Sequence, residues 1–159
     1  MKDVFNYDPN TGVITWAVKR GNRYKAGDTA GHITDSGYMR ISYKKKFYMV
    51  HRLAWFLTYG SWPNHSVDHI NQDKTDNRLA NLRDVTNAEN QKNRSAYKNN
   101  KSGTVGVGWH KAAKKWVAQI GVEGSVIHLG TFNDKEEAVN IRKEAELKYG
   151  FHKNHGIMI

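Results

Sequence analysis

Val67-Asp68-His69-Ile70-Asn71, then Asn81-Leu82-Arg83-Asp84-Val85, then Thr86-Asn87-Ala88-Glu89-Asn90 are the runs that decide the fold. The first and second have the short apolar content of strands, and the polar run from Asn71 to Arg78 between them reads as an exposed loop. The third is a capping-box sequence: the Thr86 hydroxyl and the Glu89 carboxylate can each satisfy a backbone donor at a helix start, which puts Asn90 in the first turn. The product is a strand, loop, strand, helix unit. It carries an acid beside a histidine, with Asn81 twelve residues after His69 and Asn90 twenty-one after it.

Those residue types suit one demanding reaction. Hydrolysis of a phosphodiester needs an activated water, a cation to neutralise charge on the phosphorane, and a route for the leaving oxygen. Asp68 and Asn90 offer oxygen ligands, which fit a hard divalent cation, Mg2+ or Mn2+. His69 is then available as a general base, since an imidazole of ordinary pKa accepts a proton at neutral pH. Asn81, both donor and acceptor, can fix the loop or orient the imidazole. Spacing alone also admits a surface Asp-His pair with two turn asparagines.

Upstream, Phe5-Asn6-Tyr7 and Val13-Ile14-Thr15-Trp16 flank the turn Asp8-Pro9-Asn10-Thr11-Gly12, a hairpin by turn chemistry. A second hairpin runs from Tyr38 to Tyr43 and from Phe47 to Val50, around Lys44-Lys45-Lys46, three cations that belong in solvent or against phosphate. Leu53, Ala54, Phe56 and Leu57 recur at helical spacing over 51–59, with Gly60 placed to end the helix. His51 and Arg52 open that helix, and Arg52 can hold a phosphate. His65, four residues before His69, would suggest a two-histidine metal site only on a helix, and none is predicted there.

The composition points to a polyanionic partner. The 159 residues carry a formal charge of +10 with an isoelectric point near 9.7 and mean hydropathy of -0.77. Basic residues outnumber acids nine to four over 1–50, seven to five over 51–100 and nine to six thereafter, so the charge is not confined to one tail. Five Trp, eight Tyr and five Phe give enough apolar area for a folded chain. The absence of cysteine removes disulfides, thiol nucleophiles and Cys-based zinc sites. The opening Met1-Lys2-Asp3-Val4-Phe5 lacks a signal-peptide apolar stretch, and no run of 18 apolar residues occurs, so secretion and membrane insertion are not expected.

His51-Arg52-Leu53-Ala54-Trp55, Val67 to Asn71, Asp76-Asn77-Arg78-Leu79, Asn81-Leu82-Arg83 and Val85 to Asn90 together closely resemble the HNH endonucleases of phages and mobile introns. The resemblance implies a ββα-metal site within residues 1–95. Position by position, His69 would be the water-activating base, Asp68 and Asn90 the metal ligands, and Asn81 the brace of the loop. The last position of the motif is often His in the family, and here it is Asn90, which keeps an oxygen ligand.

From Gln91 to Thr104 the chain has Lys92, Arg94, Lys98 and Lys101, no acid and almost no apolar residue, a helix end running into a basic linker over 96–104. Three strand candidates follow over 105–111, 116–122 and 126–132, then a helix with Asn133 as its expected cap and Ala138, Ile141, Ala145 and Tyr149 on one face. Gly106-Val107, Lys115 to Ile120, Leu129-Gly130-Thr131-Phe132 and Glu136-Glu137-Ala138 resemble the DNA-binding domain of plant Apetala and ethylene-response factors, also found fused to HNH nucleases. That resemblance implies a three-stranded sheet in the major groove. Residues 101–133 hold four cations and one acid, whereas 134–149 hold four cations and five acids, so the sheet rather than the helix should face DNA. His110, Lys111, Lys115, Gln119 and His128 are the outward polar candidates, with Val117 and Val126 beside them. The plant pattern has arginines on the first strand and a tryptophan where His128 stands. Guanine readout by arginine is therefore not inherited, and looser specificity is expected.

The expectation is an α+β chain: N-terminal β-hairpins and a ββα-metal unit over 1–95, a linker over 96–104, and a three-stranded antiparallel sheet packed on one C-terminal helix over 105–159. It would be a homing-type, metal-dependent endonuclease cutting double-stranded DNA. The alternative is a DNA-binding regulator with a vestigial HNH unit. Arg52, Lys92 and Arg94 join the outward sheet residues as DNA contacts. A monomer or weak dimer in the cytoplasm of a bacterial host completes the expectation, with one centre cutting one strand at a time.

Overall fold

The computed structural model describes residues 1–93, 96 and 100–157; Arg94 and Lys98 of the basic linker lie outside the described residues. The chain is mixed α and β, built from small antiparallel sheets and few helices, and it divides into two compact units between Asn87 and Ala88.

In the first unit β1 (Phe5–Tyr7) pairs with β2 (Ile14–Trp16), with Phe5 opposite Trp16. Gly12 turns the connecting loop at φ 76°, a conformation glycine adopts without strain. Next, β3 (His32–Ile33), β4 (Met39–Tyr43) and β5 (Lys46–Met49) form a meander, and β5 runs straight into α1 (Val50–Tyr59). The helix thus starts at Val50, a residue the sequence pattern gave to the strand. Gly60 ends it in the left-handed conformation, its N–H donating to the Phe56 carbonyl at 2.9 Å. After a turn, β6 (Ser66–His69) pairs with β7 (Leu82–Val85), and a 3-10 turn over Leu79–Asn81 leads into β7. Asn81 therefore precedes the strand it was expected to open.

One core serves this unit. Phe5, Ile14, Trp16, Ala30 and Ile41 from the hairpins pack with Val50, Leu53 and Ala54 of α1 and with Val67 and Leu82 of the β6–β7 pair. The helix face carrying Val50, Leu53 and Ala54 is fully buried, which fixes where β6 can lie.

The second unit begins within the short helix α2 (Asn87–Gln91), with Thr86 at the position before it and Glu89 at its third residue. Its sheet orders β8 (Val107–His110), β9 (Lys115–Val122) and β10 (Ser125–Phe132) as a meander, and α3 (Lys135–Lys148) packs across it. Strand β8 is shorter than expected because Gly106, at φ 79°, turns the chain just before it, where a Cβ would collide with the Gln119 carbonyl oxygen. Asp134, not Asn133, caps α3: its carboxylate accepts from the Glu136 N–H at 3.2 Å. No helix among the described residues is long and apolar enough to cross a membrane.

Candidate active site

Strand β6 ends on Asp68 and His69, and the pairing register sets Asp68 opposite Arg83 and His69 opposite Leu82. Alternation sends the two side chains to opposite faces. Asp68 is partly buried, and Arg83 forks onto its Oδ2 through Nε at 2.9 Å and through a terminal nitrogen at 2.7 Å. His69 turns inward and is only 4% exposed. Its ring meets His51 edge-on at 5.1 Å between centroids and Tyr38 at 6.0 Å. Burial pushes the His69 pKa down, countered in part by a hydrogen bond to Asn77 and by the charges of Asp68, Asp73 and Asp76. The imidazole is neutral at pH 7, the form in which it can accept a proton.

Asn77 decides which ring nitrogen is basic. It is 1% exposed, and its Nδ2 donates to the Thr75 carbonyl at 2.9 Å, which turns Oδ1 toward His69 Nε2 at 3.2 Å. An amide oxygen only accepts, so Nε2 carries the proton and Nδ1 the lone pair. Asn77 is itself held by the N-terminal hairpin. The Tyr7 hydroxyl, with its pKa raised by burial to about 12, donates to the Asn77 carbonyl at 2.8 Å. Gly12 lies so close that an added Cβ would sit 2.5 Å from the Arg78 nitrogen and the Asn77 carbonyl carbon.

Asn81 works on the loop rather than on the ring. Its Oδ1 accepts from the Asn71 N–H at 2.9 Å, and its Nδ2 donates to Asn71 Oδ1 at 2.9 Å and to the Asp76 carbonyl at 2.8 Å. Asp76 holds the same loop from the other side, accepting from Arg78 and Asn71. The Arg78 hydrogen bond, foremost, pulls its carboxyl pKa down to about 2. Lys74 donates to the Ser36 carbonyl at 3.0 Å and lies 4.8 Å over the Tyr38 ring, the ring that touches His69.

The other sequence-selected residues have varied surroundings. Arg52 donates to the carbonyls of His65, at 2.8 Å, and Pro63, at 3.4 Å, tying α1 to the following turn. His65 is exposed, 3.8 Å from Asp84, and does not join His69 in a ligand pair. Asn90 lies on α2 in the second unit and is half-buried. Lys92, also half-buried, donates to the Tyr149 carbonyl at 2.8 Å. On the sheet, His110, Lys111, Lys115, Gln119 and His128 are all exposed, whereas Ala118 and Ile120 are buried on the helix side. Cross-strand register pairs His110 with Lys115 and Gln119 with His128.

Asn77, Arg83, His51 and Tyr38 were not singled out from sequence as parts of this site. Arg83 was findable, since two equal strands joined by a loop set it across from Asp68. Asn77 was one of several polar loop residues, with nothing local to distinguish it.

Among the described residues no three His, Cys, Asp or Glu side chains gather as a metal cluster. The donor chemistry is that of oxygen: one carboxylate, with amide oxygens available in the sequence around it. That set suits a hard cation which keeps most of its water, not a zinc ion in a closed nitrogen-sulfur cage.

A buried neutral histidine next to a strand-borne aspartate, on a two-stranded ribbon with a braced loop, leads to a defined class. The HNH endonuclease family model matches residues 48–92, so the chain carries an HNH endonuclease domain. A particular relative is Protein 3.8 of Escherichia phage T7, 34% identical over 90 residues that cover 54% of this chain and 74% of that protein. A solved structure titled DNA binding and cleavage by the HNH homing endonuclease I-HmuI is 30% identical, with a TM-score of 0.41, over 55% of this chain and 51% of that one. The chain thus matches about half the length of that enzyme.

Proposed function

We propose that the protein is a metal-dependent, homing-type endonuclease that hydrolyses phosphodiester bonds of double-stranded DNA. The observation that carries this reading is the buried, neutral His69 beside Asp68, with its Nε2 proton held by Asn77 so that Nδ1 is the base. In this assignment His69 takes a proton from the attacking water, Asp68 and Asn90 are the oxygen ligands, and Asn81 keeps the loop in place. Asn90 takes its role from its position in the sequence, inside the family match. A bound Mg2+ or Mn2+ would supply Lewis-acid neutralisation of the phosphate charge. The C-terminal sheet is proposed as an Apetala-like DNA-binding surface, supported by its three antiparallel strands backed by one helix and its exposed His110, Lys111, Lys115, Gln119 and His128. Arg52, Lys92 and Arg94 stay in the proposed DNA-contacting set, the first two with part of their donor capacity already used within the chain. The phage relative supports action in the cytoplasm of a bacterial host. The proposed monomer or weak dimer, with one centre per chain, would cut one strand per visit.

A second reading is favoured by the Arg83 fork on Asp68, which sets a protein cation at the proposed ligand. It makes the protein a DNA-binding regulator without catalysis. Incubation of supercoiled plasmid with Mg2+ or Mn2+ separates the two. The endonuclease reading expects nicked circles from the wild type and at least about a hundredfold less nicking from His69→Ala. Duplex binding without nicking by the wild type would leave the regulator standing.

A further inference from the structure

The tip of the β4–β5 hairpin is built against its own conformational preference. Tyr43 pairs with Lys46, so the turn consists of Lys44 and Lys45, at φ 47° and 60°. Both central residues of such a two-residue turn need positive φ, a requirement that Asn-Gly meets readily and a long L side chain meets only with strain. The same protein makes the corresponding β9–β10 turn from Glu123 and Gly124, at φ 51° and 80°, with glycine at the second position. Local stability does not account for two lysines at Lys44 and Lys45.

Charge does. Lys44, Lys45 and Lys46 are exposed, and among the described residues no carboxylate is ion-paired with any of them. The sheet face behind the tip is also cationic. His32 pairs with Arg40 across β3 and β4, and the Arg40 guanidinium lies 4.2 Å over the ring of Phe47, which is 65% exposed. Arg20 adds a further guanidinium on the opposite side of β4, 4.8 Å over the core-facing ring of Tyr43. Strands β3, β4 and β5 contribute no acid. A strained turn kept for its charge, on an acid-free basic sheet, is complementary to a row of phosphates.

We propose that the Lys44–Lys46 hairpin tip is a second DNA-backbone contact, within the nuclease unit and separate from the C-terminal sheet. The inference rests on the reading that duplex DNA is the partner. The contact positions the duplex without reading bases, because flexible ammonium groups meet phosphate as point charges.

The test replaces Lys44→Asn and Lys45→Gly together in the full chain, giving the turn its preferred residues while removing two cations. Thermal unfolding should rise by about 5 °C as strain is relieved. In the same protein, the slope of log affinity for a duplex DNA against log salt should fall by about 1.8, or 0.9 per lost phosphate contact. Stabilisation with a reduced slope separates lost contact from lost fold. Wild-type binding with an unchanged slope in the variant would overturn this inference alone. Failure of the wild type to bind any duplex DNA would overturn the proposed function and this contact with it. A loss confined to duplex RNA would overturn the choice of partner.

Discussion

Acidification should loosen the first unit through His51, by an amount that its surroundings fix. His51 is 8% exposed, and its Nδ1 is buried with no hydrogen-bond partner among the described residues. Burial first, then the neighbouring His69 and Arg52, press its pKa from 6.5 down to about 3. Below pH 6.5 the unfolded chain takes up a proton that the folded chain refuses. The stability contributed by neutral His51 is therefore complete above pH 6.5 and drains away as the pH falls toward 3. Each pH unit in that window is worth about 1.4 kcal/mol, so going from pH 7 to 4.5 costs about 2.5 kcal/mol from this residue. His51→Phe keeps the ring against Tyr38 and His69 while removing the unpartnered nitrogen. The variant should be within about 1 kcal/mol of wild type at pH 7 and gain about 2.5 kcal/mol on it by pH 4.5. Urea unfolding followed by tryptophan fluorescence at both pH values measures the gap. A residual slope in the variant is expected from His69, whose pKa is lowered in the same direction. Equal acid losses in the two proteins would refute the reasoning, because the unpaired imidazole would then not be what the folded state excludes protons from.

Two glycine substitutions isolate the close approach behind the site. Gly12→Ala, at φ 76° with backbone atoms of Asn77 and Arg78 at 2.5 Å, should cost about 2–5 kcal/mol in denaturant unfolding. Gly27→Ala, at φ 90° with nothing among the described residues within 4 Å, should cost only about 1–2 kcal/mol; similar losses would mean that contact with the Asn77 segment does not matter. Asn81→Ala removes three side-chain hydrogen bonds at a buried position and should cost about 2–3 kcal/mol. Amide exchange at Asn71 reports it directly, since that N–H donates to Asn81, and unaltered protection there would contradict the brace.

The sequence made the elements legible where local chemistry is decisive, and less so where two candidates are chemically alike. Gly60 and the apolar spacing of Leu53, Ala54, Phe56 and Leu57 identify α1, because a left-handed terminator and a buried stripe are local properties. Asn133 and Asp134 are both good caps, and only backbone geometry selects the second. The same limit governs the loop. Asn77 and Asn81 are both amides within reach of His69 along the chain, and their division of labour follows from the 3-10 turn and from Gly12 pressing on Asn77. Cations, too, have uses that their charge does not disclose. Arg52 and Lys92 read as phosphate contacts by charge, yet each donates to a carbonyl of its own unit, a use that composition cannot reveal. Conversely, the turn over Lys44-Lys45-Lys46 was legible, but not that it narrows to Lys44 and Lys45 with Lys46 opening β5, since lysine is an unusual choice at positive φ.

The N-terminal hairpins are part of the first unit's core and not an attachment to it. The family match begins at residue 48, but Phe5, Ile14, Trp16, Ala30 and Ile41, all upstream of it, are half of the buried cluster that seats α1 and β6. The coupling to the site is also specific. Tyr7 donates to the Asn77 carbonyl, the Leu79 N–H donates to the Pro9 carbonyl at 3.0 Å, and Gly12 abuts the peptide joining Asn77 to Arg78. Each of these contacts falls on the segment that holds the His69 proton. Strand β6 supplies Asp68 and His69 with their backbone, but the tautomer of His69 depends on an amide oriented from the first hairpin. Selection on the proposed catalysis would therefore act on Tyr7 and Gly12, roughly sixty residues upstream of Asp68 and His69, as well as on that pair itself.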